Sequence, residues 1–439
     1  MGRPALGAAN RLLTLAEERL LPLAVRAGEQ RHLQAIRDGV VSALPLVLIG
    51  SAFLLIAQPP VSLSEKTQVW SPEMLARLLL PFRITTALIA IYVAFAVAHS
   101  LARGYQLDGL SAGLLSAGAF LLGARPFKAP LAPGAEPEWV VPMASLGAGG
   151  LFVAIIIAIF AVEVQRLFVA RNWTIKMPAG VPPAVGRSFA MLLPAAVVLT
   201  IAWAVFHMAG LDVFALMARA VGRPLGAVSN SLAGVLLVVL LDSALWLVGI
   251  HAVALLAVLH PVWLQLILEN QAAAAGGAAV LPNIGAREFY IWFVWVGGSG
   301  ASICLPFMFL RARSAALRAV AKVAMLPSLC NINEPVIFGT PIVMNGVLAA
   351  PFLLAPLAMA ALSWCAFHFD WVTRPFAVVP WTLPAPLGAY FTTGGDWRAL
   401  VLLAVNLVIA ALIYLPFVRA YDRRLAAQET TDEDGGDAP

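Results

Sequence analysis

Asn331-Ile332-Asn333-Glu334-Pro335 interrupts the least charged part of the chain. Upstream, Val323 to Cys330 carries no Asp, Glu, Lys or Arg, and none occurs from Val336 through Phe369. A carboxylate at membrane depth costs roughly 2.5–3.5 kcal/mol on insertion scales, so such a group normally faces a cavity and serves a purpose. Pro327 and Pro335 flank the run and argue against a continuous helix. Irregular backbone at that depth is tolerated only where it is buried in protein or lines a polar cavity. The run therefore reads as a broken membrane segment that presents polar groups to a solute.

Composition agrees. Of 439 residues, 61% are hydrophobic and only 12% charged, against roughly 25% charged in soluble domains. Mean hydropathy is +0.88. These values exclude a soluble enzyme and define an integral membrane protein. The net charge of +5 does not point to nucleic acid, because the arginines sit between apolar spans and at the ends, where they set topology beside anionic lipid. Cys304, Cys330 and Cys365 lie in apolar surroundings without CxxC or metal spacing. They read as small buried hydrophobes, and neither metal nor cofactor is expected. Met1 to Asp38 lacks the compact apolar core and cleavage site of a signal peptide.

Leu12 to Arg37 has helical apolar spacing among charges and is expected to be an amphipathic surface helix, kinked at Pro22. Spans follow at Val40–Ala57, Ile84–Ala102, Gly109–Ala124, Leu146–Val162, Phe189–His207, Leu232–Leu259, Phe289–Leu310, Ile342–Phe367 and Leu400–Val418. Gly109–Ala124 is short and rich in Gly and Ala, which suits tight helix packing. Pro306–Pro335 and Thr373–Asp396 do not read as simple spans. Arg19, Arg26, Arg31 and Arg37 at one end and Arg419, Arg423 and Arg424 at the other predict both termini cytoplasmic. That requires an even count and favours ten spans over nine. The fold class is an all-α integral membrane protein, and the acidic stretch Glu429 to Pro439 is expected to be disordered.

More than the central run carries a pattern. Asn331 through Asn345 resembles the signature of the lactose/cellobiose/diacetylchitobiose permeases of the phosphotransferase system, the enzyme IIC components. His32 to Asp38, Gly180 to Val185 with Ser188-Phe189, and Leu245-Trp246 with Gly249-Ile250-His251 resemble further motifs of that family. So do Gly297-Gly298-Ser299-Gly300, Pro380-Trp381-Thr382 and Gly394-Gly395-Asp396-Trp397. The resemblance runs in order from about Glu17 to Arg424. Ala252 after the histidine, Arg83 and His99 depart from it.

The resemblance implies a bacterial inner-membrane transporter of β-linked disaccharides. It would have ten spans, two re-entrant hairpins and a homodimeric assembly in which a transport domain moves against a scaffold. Residues 1–38 would form a cytoplasmic amphipathic segment, 39–225 the scaffold and dimerisation half, 226–424 the sugar-binding half, and 425–439 a disordered tail. Enzyme IIB, a phosphocysteine donor, and enzyme IIA are expected as separate chains. This chain is a membrane component of that complex, not a complete enzyme alone.

Within this frame Glu334 and His251 are the candidate catalytic residues. A carboxylate beside a sugar 6-hydroxyl can align it and take its proton during phosphoryl transfer; a carboxylate capping a hairpin is the structural alternative. His251, in the uncharged stretch Ser243 to Leu268, would orient the reacting hydroxyl; read alone, it serves equally as a helix–helix hydrogen bond. Asn333 and Asn331 offer amides that satisfy both sides of a hydroxyl, or satisfy the hairpin's own backbone. Trp381 and Trp246 offer indole platforms for a pyranose face, although most membrane tryptophans anchor the interface. Gly297, Gly298 and Gly300 read as close helix packing rather than a phosphate cradle, Arg83 and Arg287 as lipid or loop contacts, and His260 as structural. Asp242 and Glu269 are expected near the water interfaces. Two other classes share the residues: a proton-driven transporter with Glu334 or His251 as protonation site, and a sugar sensor without transport.

Overall fold

The computed structural model describes residues 30–57, 70–132, 134–175, 177–178, 181–247, 253–340, 342 and 347–435. His251, Ala252, residues 343–346 and everything before Gln30 lie outside them, and with them the N-terminal part of the expected Leu12–Arg37 helix. The described chain is mostly helical. The first half contains α1 (Arg31–Ser42), α2 (Leu44–Ala57), α3 (Leu80–Thr85), α4 (Ile89–Gly104), α5 (Gly109–Gly123), α6 (Leu151–Ala170) and α7 (Leu192–Trp203). After α8 (Val213–Met217) and α9 (Arg223–Asn230) come α10 (Leu232–Leu247), α11 (Val253–Ala275) and α12 (Arg287–Phe293). The last third holds α13 (Cys304–Phe309), α14 (Ala315–Leu329), α15 (Glu334–Gly339), α16 (Ala349–His368), α17 (Ala385–Thr392) and α18 (Trp397–Gly435).

Five helical stretches among the described residues are long and apolar enough to cross a membrane: Arg31–Ala57, Leu80–Gly104, Ala148–Ala170, Ala349–His368 and Trp397–Thr430. Leu192–Met208 and Val213–Asn230, bent by 88°, make a sixth if counted as one span. Gly109–Gly123 and Leu232–Leu247 are apolar but shorter. The tight packing expected of α5 is present: a Cβ at Gly113 would lie 2.7 Å from the Phe95 ring of α4. Without that methyl the helix axes approach closely enough for dense van der Waals contact.

Several expectations change. Phe289–Leu310 is not one span: the helix stops at Phe293, and Gly297, Gly298 and Gly300 all take positive φ, of 77°, 103° and 78°. Glycine adopts that region freely and side-chain-bearing residues rarely do, so the three glycines permit a turn in which Ala301 also takes a φ of 56°. Within the expected span Leu232–Leu259, residues 248–252 lie outside the described set, with α10 on one side of them and α11 on the other. Among the described residues the all-α class admits one exception, a small antiparallel hairpin pairing Phe127–Pro130 with Pro137–Val140 in the proline-rich stretch.

The expected tail also departs, because α18 continues to Gly435. Its Glu429 carboxylate accepts from the backbone N–H groups of Ala315 at 2.9 Å and Ala316 at 3.1 Å, and from the Ser314 hydroxyl. The start of α14 thereby gains partners for its orphan donors, and the last turns of α18 gain an anchor. The boundary expected at 38 falls inside α1 and that at 225 inside α9.

Buried apolar side chains form one large cluster from Val235 to Tyr421, one within residues 90–206, and two that join both halves, running from Ala35 to Val378 and from Leu54 to Ala377. Between them lie α11 and the extended strap 373–380. Ser51 of α2 accepts from Gln271 of α11 at 2.6 Å and from the Val378 N–H at 3.1 Å, so two hydrogen bonds tie the first half to the second.

Candidate functional site

The site begins where α14 ends. Ser328 to Ile332 form a Schellman turn: the Ile332 N–H donates to the Pro327 carbonyl at 3.0 Å and the Asn331 N–H to that of Ser328 at 3.1 Å. Asn331 takes a φ of 59° at the turn, a left-handed position that asparagine tolerates better than most residues. The helix therefore stops for a local reason, and the chain restarts as α15 with Glu334 in its first turn.

The two asparagines clamp this turn to two other loops. Asn331 Oδ1 accepts from the Gly297 N–H at 2.8 Å, while its Nδ2 donates to the Trp381 carbonyl at 2.8 Å. Asn333 Nδ2 donates to the Ser299 carbonyl at 2.9 Å. Gly298 passes so close to Asn333 that an added Cβ would sit 2.3 Å from its Cγ. The glycine loop is also held from its far side, where the Tyr414 hydroxyl donates to the Gly300 carbonyl at 2.7 Å. The buried carboxylate of Asp242 lies beside Ser299.

The structure thus brings Asn331, Asn333, Glu334 and the Trp381 loop together. Asn333 is 4% exposed, whereas Glu334 is exposed and makes no hydrogen bond or ion pair with a described residue. Trp381 is 45% exposed, and Trp246 is buried in the large core cluster. These two indoles are not equivalent: one is available to a ligand as the chain stands, the other is packed. His251 lies outside the described residues, so its relation to Glu334 is not part of this geometry.

Asp242 corrects an expectation. It is 2% exposed and points at the glycine loop rather than sitting at a water interface. Periodicity could not reveal this, because the contact is set by how α10 packs on a loop more than fifty positions away. Tyr414 was missed for the same reason; its only sequence signal is a phenol in the middle of an apolar helix. Glu269 instead accepts from Gln265 and Asn283, both at 2.8 Å, in an amide network that holds the loop before α12. Among the described residues no group of His, Cys, Asp and Glu could hold a metal ion.

An exposed carboxylate thus stands at the break between α14 and α15, beside a turn that two side-chain amides tie to neighbouring loops. The chain belongs to the phosphotransferase system EIIC family, which residues 37–356 match. It is 39% identical over 438 residues to the PTS system cellobiose-specific EIIC component of Geobacillus stearothermophilus, covering 96% of this chain and 97% of that one. It is 37% identical to the lichenan permease IIC component of Bacillus subtilis, covering 96% of each. A lactose-specific EIICB component of Streptococcus mutans is 30% identical, with 93% of this chain and 72% of that one covered. In three dimensions the chain resembles the crystal structure of the transporter ChbC, the IIC component from the N,N'-diacetylchitobiose-specific phosphotransferase system. The TM-score is 0.85 at 36% identity, over 95% of this chain and 99% of that one.

Proposed function

We propose that this protein binds a β-linked disaccharide of the cellobiose, diacetylchitobiose or lactose type, carries it across the bacterial inner membrane, and presents its 6-hydroxyl to enzyme IIB for phosphorylation. The observation that carries the reading is Glu334, an exposed carboxylate at the start of α15 without a described partner, tied through Asn331 to the loop of Trp381. The sugars named for the relatives support the substrate class.

In this reading Glu334 accepts the 6-hydroxyl proton as that oxygen attacks the phosphorus of the IIB phosphocysteine. The P–O bond forms, the S–P bond breaks, and the thiolate leaves. His251 hydrogen bonds the sugar and orients the hydroxyl without carrying phosphate. Trp381 and Trp246 pack against pyranose faces. Asn331 and Asn333 contribute to sugar binding through the loops they hold.

The finer architecture belongs to the same proposal. The chain makes about ten spans with two re-entrant hairpins. Both termini are cytoplasmic, and two copies form a dimer. Residues 39–225 are the scaffold against which 226–424 move as an elevator, and enzymes IIB and IIA are separate partners. Two buried clusters, one within residues 235–421 and one within 90–206, support this division, and two others form the contact between the halves.

Titration calorimetry of the purified full-length protein against cellobiose, diacetylchitobiose, lactose and the α-linked disaccharide maltose tests the reading. Binding of at least one β-linked sugar in preference to maltose is expected. Equal affinity for maltose, or no binding at all, defeats it.

A further inference from the structure

Asp242 has no task in the chemistry proposed for Glu334, yet it is the single ionisable side chain of α10. A carboxylate inside so apolar a helix is costly, and an intramembrane ionisable residue marks a functional site by default. Asp242 is 2% exposed, and its Oδ2 has no hydrogen-bond partner among the described residues.

Its surroundings lead to the site. α10 packs against Ser299–Ala301, and the carboxylate lies beside Ser299. The Ser299 carbonyl accepts the Asn333 amide at 2.9 Å. Asn333 caps α15, whose first residue is Glu334. A chain of contacts therefore runs from Asp242 through Ser299 and Asn333 to the exposed carboxylate.

The glycine loop depends on such pins. Gly297, Gly298, Gly300 and Ala301 all take positive φ, and a glycine backbone is little restrained by its own side chains. Its position is therefore set by what holds it from outside. Asn331 takes the Gly297 N–H, and Tyr414 takes the Gly300 carbonyl. Asp242 meets the loop between these two points, at the residue whose carbonyl Asn333 grips.

We propose that Asp242 is a positioning residue for phosphoryl transfer. Its carboxylate accepts from the Ser299 hydroxyl, steadies the Ser299 carbonyl, and through Asn333 sets where Glu334 stands against the sugar 6-hydroxyl. The inference rests on the proposed function. Asp242 itself touches neither sugar nor phosphate.

The test is phosphorylation by the full-length protein with purified IIA and IIB enzymes, read as kcat and KM, beside calorimetric sugar affinity. The sugar is cellobiose, diacetylchitobiose or lactose, whichever the wild type binds most tightly. A misplacement of 1 Å costs about 10²-fold in rate, so loosening one pin in Asp242→Ala should lower kcat about tenfold. Sugar affinity should stay within about twofold. Ser299→Ala should reproduce this split. Asp242→Asn keeps an acceptor oxygen and should recover to within about threefold of wild type. Adding Asp242→Ala to Glu334→Gln should cost nothing further, because the group it positions is already gone.

An unchanged kcat in Asp242→Ala, an equal loss of kcat and affinity, an Asp242→Asn as slow as Asp242→Ala, or a tenfold loss that persists beside Glu334→Gln overturns the positioning role. Each leaves the proposed function standing. A wild type that binds or phosphorylates none of the three sugars defeats the proposed function, and this inference with it. If Asp242→Ala does not fold, Ser299→Ala, which removes one hydroxyl, decides alone by the same split.

Discussion

The Asn331 side chain holds the carbonyl of Trp381 at 2.8 Å, although fifty residues separate the two. The same amide accepts the Gly297 N–H with its oxygen. One asparagine therefore sets the relative position of the carboxylate turn, the glycine turn and the tryptophan loop.

Replacing that amide while keeping its backbone tests the clamp. Asn331→Gly preserves the left-handed turn but strands the buried Gly297 N–H, which costs about 1–3 kcal/mol. A lower thermal midpoint and weaker sugar binding are both expected. An unaltered midpoint would show that the three loops do not depend on this residue.

Glu334→Gln separates binding from chemistry. The variant should still bind sugar, because the amide retains hydrogen-bonding capacity. Its phosphorylation rate with the IIA and IIB enzymes should fall by about 10²–10⁴, the range for removal of a general base. A variant that phosphorylates at the wild-type rate removes Glu334 from that role.

Gly298 and Gly118 should respond in opposite directions to alanine. At Gly298, φ is 103° and the new methyl meets Asn333, so the loss should exceed about 1 kcal/mol. At Gly118 of α5 nothing lies within 4 Å of an added Cβ, and the helix should keep or gain stability. Thermal denaturation of the two variants in one detergent gives the comparison, and equal effects would contradict the packing described here.

Asp396 supplies a pH dependence. Burial pushes its carboxyl up, but hydrogen bonds from Arg398 and Thr373 outweigh this and hold it below the ordinary carboxylate range. A folded-state value below the unfolded one means stability that is present above the unfolded value, about 3.9. It is lost as pH falls through the lowered folded one. The midpoint difference between wild type and Asp396→Asn should be constant from neutral pH to about 5 and shrink below about 4. A difference that grows on acidification has the wrong sign.

Glu429 caps the start of α14 through Ser314, Ala315 and Ala316. Glu429→Ala should lower the thermal midpoint and leave sugar affinity unchanged, whereas Thr430→Ala, one residue on, should change neither. Equal midpoints for the two variants would show the cap to be without consequence.

Much of this was legible beforehand. The uncharged stretches around Asn331–Pro335 announced a membrane protein, and the prolines a break beside Glu334. The glycines of residues 297–300 were read as packing elements, yet Phe289–Leu310 was expected to be a continuous span. Hydropathy averages over a window and does not register the positive φ of three glycines. The tail was misjudged in the same way: its composition is that of a solvated segment, and only the start of α14, over one hundred residues earlier, gives it something to bind.

What the residues alone determined is therefore local: apolar runs that must leave water, a polar run that interrupts them at Asn331–Pro335, and the carboxylate of Glu334 within it. Which groups meet was decided by the tertiary structure. Asp242 against Ser299, Tyr414 on Gly300, and the clamp from Asn331 to Gly297 and Trp381 join segments 34 to 114 residues apart. No periodicity carries such pairings, because they exist only once helices pack and each buried polar group must find a partner within hydrogen-bonding distance.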